Sequence, residues 1–191
     1  VISKNIFKEN KILSPQFFVV SRRNFKNINL KKLIIKNKLI FPIVIKPSNE
    51  GSSIGVKICK NLKVLNKEFK SLSRIYDCLI FEQFIAGQEV QVAVMRNKAL
   101  GAIELKPKRK FYDYKAKYQK SAKTSHIMPA GIPKKKYKEV LKIAEKTHKA
   151  LSCRGVTRSD FKFDNGKFYL LEINTQPGMT SLSLVPEIAA Y

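Results

Sequence analysis

The sequence predicts an α+β fold, on three observations. Of its 191 residues, 44% are apolar, enough to bury a real core. Short apolar runs bounded by turn residues read as strands. The last two, on either side of Asp164-Asn165-Gly166, form a hairpin, because Asn and Gly both tolerate positive φ. Between the strand runs lie stretches of helical spacing. The longest, over 134–151, brings Val140, Ile143, Ala144, His148 and Leu151 near one face.

The elements follow in order. Ile2, Ile6 and Phe7 are spaced for one helical face, and Ser14-Pro15 interrupts that pattern before Phe17–Val20, a short buried strand. Asn29–Lys38 reads as a second helix, and Phe41–Lys46 as a buried strand ending in a lysine. A loop rich in Gly and Ser follows over 47–56. Glycines let backbone N–H groups approach phosphate oxygens, and serine hydroxyls add donors. The loop is not a Walker A motif, because no Lys-Ser/Thr follows its last glycine. Asn66–Arg74 reads as a helix, Cys78–Ile85 as a strand, 86–89 as a turn and Val90–Met95 as the next strand. A tight turn at Asn97-Lys98 leads into a strand over 98–106. The long, basic and aromatic stretch around Phe111–Tyr118 has the character of a functional loop. Pro129-Ala130-Gly131 turns the chain into the 134–151 helix.

The formal net charge is +24. Such a balance suits nucleic acid or an anionic membrane, but the lysines are interleaved with Ile and Asn throughout and gather in no recognisable binding motif. We read them as a compositional bias and expect no specific nucleic-acid partner. The three cysteines are scattered without metal-ligand or Cys-x-x-Cys spacing, which points to reduced thiols in a cytoplasmic protein. No signal peptide and no apolar run long enough to span a bilayer is present, so no membrane association is expected. The chain starts at Val1 within one pattern and stops at Tyr191 within the first turns of a helix, so we expect a piece of a longer protein.

The chemistry concentrates in residues 158–183. Strand side chains alternate faces, so Arg158 and Asp160 share one face, and so do Glu172 and Asn174. If those two faces coincide, three oxygen-bearing side chains meet above an apolar floor, a donor set suited to Mg²⁺. Parity decides the matter. A plain two-residue Asn-Gly turn pairs Asp164 with Lys167 and puts Asp160 opposite Leu171, leaving Glu172 on the other face. A three-residue loop or one bulge restores the shared face, and we expect the connection not to be a simple two-residue turn, with Gly166 able to supply a bulge.

Glu172-Ile-Asn174, Pro177-Gly178-Met179-Thr180 and Ser183-Leu184-Val185-Pro186 together resemble the C-terminal signature of D-alanine–D-alanine ligases, members of the ATP-grasp superfamily. The resemblance extends over nearly the whole chain. Lys46-Pro-Ser, Glu50-Gly-Ser-Ser-Ile-Gly55, Glu82-x-x-x-x-Gly87-x-Glu89 and Phe111–Tyr118 match the family's phosphate loop, its crossing between subdomains and its ω-loop.

The resemblance implies an ATP-grasp fold of two subdomains, with mainly antiparallel sheets clasping ATP. Residues 1–82 would be the central subdomain. Residues 83–191 would be the C-terminal subdomain, with the metal and D-alanine sites, truncated at its end. The family's N-terminal domain, and an upstream lysine that contacts nucleotide, would be missing, leaving this piece inactive alone. The implied roles are these. Lys46 holds the α/β-phosphates, while Ser52 and Ser53 cover the terminal ones. Backbone groups of Gln83, Phe84 and Ile85 read the adenine edge, Glu82 its amino group and Glu89 the ribose. Lys117 touches the phosphoryl region, and Tyr118 lies over the D-alanine site. Asp160, Glu172 and Asn174 hold two Mg²⁺ (or Mn²⁺) ions. Arg158 and the Gly178 N–H stabilise the oxyanion, and Ser183 with the Leu184 N–H takes the second substrate's carboxylate. Two D-alanines are the implied substrates, peptidoglycan precursor the product, and a homodimer the implied intact form.

Gln176 departs from the family's usual Ser or His. The alternatives are another ATP-grasp carboxylate–amine ligase and an inactive basic fragment that binds RNA non-specifically. Tyr118 and the match over 178–184 speak against the first.

Overall fold

The computed structural model describes residues 1–51, 53–106 and 124–191; of the candidate residues, Ser52, Lys117 and Tyr118 lie outside them. In chain order the elements are α1 (Ile2–Glu9), β1 (Phe17–Ser21), α2 (Leu30–Lys36), β2 (Ile43–Pro47), β3 (Lys57–Cys59), α3 (Leu62–Leu72), β4 (Cys78–Gln83), β5 (Gln88–Met95), β6 (Lys98–Lys106), β7 (Ser125–Ile127), α4 (Lys134–Ala150), β8 (Val156–Asp164), β9 (Lys167–Asn174) and α5 (Leu184–Ala190). They form two compact units, and the class is α+β as expected.

The first unit comprises residues 15–84. Its sheet runs β1-β4-β2-β3, with every neighbouring pair antiparallel. One face carries Phe18, Val20, Ile43, Ile45, Leu79 and Phe81, which pack with Leu30 and Ile34 of α2 and Leu65 and Leu72 of α3. The Phe18 and Phe81 rings stack with centroids 4.7 Å apart. Both helices start at an asparagine that accepts a backbone N–H three residues on: Asn29 from Lys32 and Asn61 from Val64, each at 3.0 Å. Such a cap satisfies one of the four N–H groups a helix start leaves unpaired. Asn61 is why α3 begins earlier than the 66–74 read from apolar spacing.

The second unit comprises residues 2–14, 85–106 and 124–191. Its sheet runs β7-β6-β5-β8-β9, again antiparallel throughout. Val90, Val92, Val94, Ala102, Phe161, Phe168 and Leu170 form one face and pack with Val140 and Ala144 of α4.

The segment 2–14 corrects the expected division at residue 82. Phe7 and Ile12 are buried in this second core, and the Leu170 N–H donates to Leu13 O at 2.9 Å. The helix is amphipathic, but local pattern cannot say which sheet its apolar side will cover. Its inward residues also differ from the expected face: Lys4 and Phe7 are buried, while Ile2 is 78% exposed. The boundary between the units falls after Phe84 rather than after Glu82.

His148 of α4 is fully buried, and its Nδ1 hydrogen-bonds Thr157 Oγ1 at 2.8 Å. Burial pushes its pKa below the ordinary 6.5, so the folded state disfavours the imidazolium. The unfolded chain binds that proton more readily. Stability from this group is therefore complete above about 6.5 and is lost as pH falls toward the depressed folded value. We expect the urea midpoint to drop between about pH 8 and about pH 5.5, and the drop to shrink in His148→Met. Equal drops in both proteins would place the acid sensitivity elsewhere.

Candidate functional site

In the first unit, the sheet face opposite the core carries Lys46 and Glu82. Glu82 lies directly opposite Val44, and Lys46 is two residues along the same strand, so both side chains emerge on one side. Lys46 Nζ donates to Glu82 Oε1 at 2.7 Å, with only 18% and 5% of the two side chains exposed. A partly buried ammonium next to a loop of backbone N–H groups is equipped to receive phosphate oxygens. In that loop Ser53 has positive φ, and the Ile54 N–H donates to Gly51 O at 2.9 Å.

The end of β4 is more committed than its sequence suggests. The Gln83 N–H donates to Gln16 O at 2.8 Å and the Phe84 N–H to Pro42 O at 3.3 Å. The Gln83 side chain is also engaged, its Oε1 accepting the Ile40 N–H at 2.9 Å. Neither backbone N–H is left for a further acceptor.

The second unit builds its polar face from three rows across β5, β8 and β9. Residues directly opposite one another share a face. The rows are Glu89–Lys162–Tyr169, Gln91–Asp160–Glu172 and Ala93–Arg158–Asn174. The shared face of Asp160, Glu172 and Asn174 is therefore present, but not by the expected route. Asp164 pairs with Lys167, so the connection is a plain two-residue turn, with Asn165 and Gly166 both at positive φ. Parity is restored further up. Phe161 faces Leu170 and Asp160 faces Glu172, which leaves Leu171 as the extra residue of a bulge.

Within this face Arg158 grips Asp160 with two bonds: Nε to Oδ1 at 2.8 Å and Nη2 to Oδ2 at 3.0 Å. The pair is mostly buried, with 15% and 7% of the side chains exposed, and the two-pronged geometry fixes both groups. Asn174 Oδ1 accepts the Gln176 N–H at 2.9 Å, which orients the amide. Any residue but proline supplies that N–H, so the unusual Gln176, whose side chain is exposed, leaves the contact intact. Glu172 is exposed. Two carboxylates and one amide oxygen on one face are hard donors with lone pairs to spare, a set that fits a divalent magnesium-type ion.

Lys162 escaped the sequence reading. It sits opposite Glu89 and donates to Glu89 Oε2 at 3.2 Å. The alternation 158, 160, 162 marked its place, but one lysine among so many carried no weight. Past β9, Ser183 precedes α5, and its Oγ accepts the Thr180 N–H at 3.1 Å. Gly178 lies so close that a Cβ there would stand 2.8 Å from Ser183 Oγ. Leu184 is buried as the first residue of α5, where a helix leaves its N–H groups without intrahelical partners. His126 Nδ1 lies 2.7 Å from Glu187 Oε2, which ties β7 to α5. Among the described residues no helix is long and apolar enough to cross a membrane.

Two antiparallel sheets with helices, one bearing a lysine and a Gly/Ser loop and the other an Arg–Asp–Glu–Asn face, define the class as ATP-grasp. Residues 6–191 match the family described as D-ala D-ala ligase C-terminus, and the chain belongs to that family. The D-alanine–D-alanine ligase of Pelagibacter ubique (strain HTCC1062) is 57% identical over 190 residues, covering 100% of this chain and 61% of the relative. The crystal structure of the D-alanine–D-alanine ligase from Bacillus anthracis superposes with a TM-score of 0.84 at 32% identity, over 99% of this chain and 60% of that one. The same ligase complexed with ATP gives 0.81 at 27% identity, over 99% and 58%. The VanG D-Ala:D-Ser ligase of Enterococcus faecalis gives 0.84 at 28% identity, over 98% and 55%. The chain thus spans about 60% of the length of the ligases it matches.

Proposed function

We propose that this chain supplies the nucleotide- and metal-binding part of a D-alanine–D-alanine ligase, which joins two D-alanines at the expense of ATP for peptidoglycan precursor synthesis. The observation that carries the reading is the register of β8 and β9, which sets Asp160 against Glu172 and Arg158 against Asn174. Family membership and the likeness to an ATP complex support it.

In this reading a carboxylate oxygen of the first D-alanine attacks the γ-phosphorus, and ADP leaves with the broken bond's electrons. The amine nitrogen of the second D-alanine then attacks the acyl carbon, phosphate departs and the nitrogen gives up a proton. Asp160, Glu172 and Asn174 hold magnesium ions, which neutralise phosphate charge during phosphoryl transfer. Lys46 holds the α/β-phosphates, with Ser52 and Ser53 over the terminal ones. Glu82 takes the adenine amino group, Ile85 the ring edge and Glu89 the ribose hydroxyls. Arg158, steadied by Asp160, and the Gly178 N–H stabilise the oxyanion. Ser183 and the Leu184 N–H bind the second carboxylate. The family resemblance assigns the phosphoryl region to Lys117 and the D-alanine site to Tyr118, both outside the described residues. The intact protein works as a homodimer in the cytoplasm.

The likeness to a D-Ala:D-Ser ligase matches that to a D-alanine–D-alanine ligase, so the fold does not select the acceptor. Phosphate release by the intact protein should require D-alanine and run faster with it as acceptor than with D-serine or D-lactate. A D-serine preference would transfer the protein to the other specificity, and no D-alanine dependence would overturn the reading.

The nucleotide half is tested separately. Lys46→Ala should weaken Mg-ATP binding by about 1.5–3 kcal/mol, roughly ten- to a hundredfold, because a charge-assisted phosphate contact is lost. Equal affinities by calorimetry would remove Lys46 from the phosphate site.

A further inference from the structure

Gln91 lies in the middle of β5 with none of its surface exposed. Neither its Nε2 nor its Oε1 has a hydrogen-bond partner among the described residues. A buried amide left unpaired on both sides is costly and calls for an explanation. Its position supplies one. Gln91 stands directly opposite Asp160, which stands directly opposite Glu172, so the three form one row across adjacent strands. On the other side of Gln91 the row continues to Ile103, which is buried and apolar. The polar neighbours in the row are therefore the two carboxylates.

Direct bonding to Asp160 is not made, although Asp160 accepts two bonds from Arg158. A small polar group between them would satisfy the amide. We propose that Gln91 is a positioning residue of the divalent-cation site: its amide hydrogen-bonds a water held between itself, the Asp160 carboxylate and the cation. The inference rests on the reading that Asp160, Glu172 and Asn174 hold that cation. Magnesium-type ions keep several waters when bound by one or two carboxylates. An amide suits such a water, because it can donate through nitrogen or accept through oxygen. Groups that orient the ligands of a metal tune its affinity without touching it.

The test measures Mn²⁺ binding to the intact protein by electron paramagnetic resonance, without ATP or substrate. Gln91→Leu should weaken binding about ten- to a hundredfold. Gln91→Glu, which keeps the length and the polar end, should bind at least as well as the parent. The melting temperature of Gln91→Leu should not fall, because an unpaired buried amide is replaced by an apolar group of similar size. If Gln91→Leu does not fold, the unbranched Gln91→Met carries the same comparison. Glu172→Gln serves as the reference and should also lose Mn²⁺. Loss in Glu172→Gln with unchanged affinity in Gln91→Leu would overturn the role of Gln91 and leave the cation site standing. Unchanged affinity in Glu172→Gln would overturn the cation site, and the role of Gln91 with it.

Discussion

Glu172→Gln in the intact protein is expected to lower D-alanine-dependent phosphate release by at least about a hundredfold and to leave the unfolding midpoint unchanged. Charge stabilisation by a bound metal ion is worth several kcal/mol in a transition state, and each 1.4 kcal/mol or so is a factor of ten. Gln keeps the volume of Glu but removes the charge that holds the ion. Glu172 is exposed, so the folded state does not depend on it for packing. Asp160→Asn should behave differently. Asp160 is 5% exposed and takes both bonds from a mostly buried Arg158. Its neutralisation takes the charge out of that two-pronged pair. Breaking a buried pair by removing one partner costs about 3–5 kcal/mol, so Asp160→Asn should lose activity and stability together. Urea denaturation beside a phosphate-release assay separates the two cases. Parental turnover in Glu172→Gln would remove the hairpin from the active site. Parental stability in Asp160→Asn would mean that the Arg158 pair is no part of what holds the sheet.

How much of this was legible in the sequence varies with the range of the interaction involved. Asn165-Gly166 marked its turn because positive φ is a local property of two residue types. Alternation placed Arg158 with Asp160 and Glu172 with Asn174, again a local rule. What joins the two faces is a bulge at Leu171, and two adjacent leucines carry no sign of one. That bulge is set by the pairing of β9 with β8, not by the chain around it. By residue type alone the bulge belongs at Gly166, but the register places it at Leu171. Gln91 and Lys162 show the complementary failure. Their positions were readable, but a lone Gln in Val90-Gln91-Val92 and a lysine among many looked unremarkable until the strand order put them beside Asp160 and Glu89. The destination of α1 was not readable at all, since an amphipathic helix specifies an apolar wall without naming it. The commitments of the Gln83 and Phe84 N–H groups were hidden for the same reason, because their acceptors lie at Gln16 and Pro42.

Gly87→Ala is expected to destabilise the second unit by about 3–5 kcal/mol, far more than Gly166→Ala at about 1 kcal/mol, although both glycines have positive φ. At Gly166, with φ +75, a Cβ would meet nothing within 4 Å, so only the backbone preference is lost. At Gly87, with φ +91, a Cβ would lie 2.2 Å from Phe163 O, 3.0 Å from Phe163 C and 3.1 Å from Asp164 Cβ. The obstacle is backbone, which cannot swing aside as a side chain can. Phe163 is paired with Gln88 on β5 and Phe168 on β9, so it sits between two ladders. Relief requires moving the 85–87 turn off β8 or displacing β8 itself. The first route shifts Glu89, which meets Lys162 two residues further on; the second shifts the strand that carries Arg158 and Asp160. The loss of stability should therefore come with a loss of Mn²⁺ binding in the fraction that remains folded, whereas Gly166→Ala should bind the ion as the parent does. Urea titrations of the two variants give the first comparison and paramagnetic resonance the second. Equal stability costs would show that the close approach of Gly87 to Phe163 relaxes freely, and that the glycine is there for its φ alone.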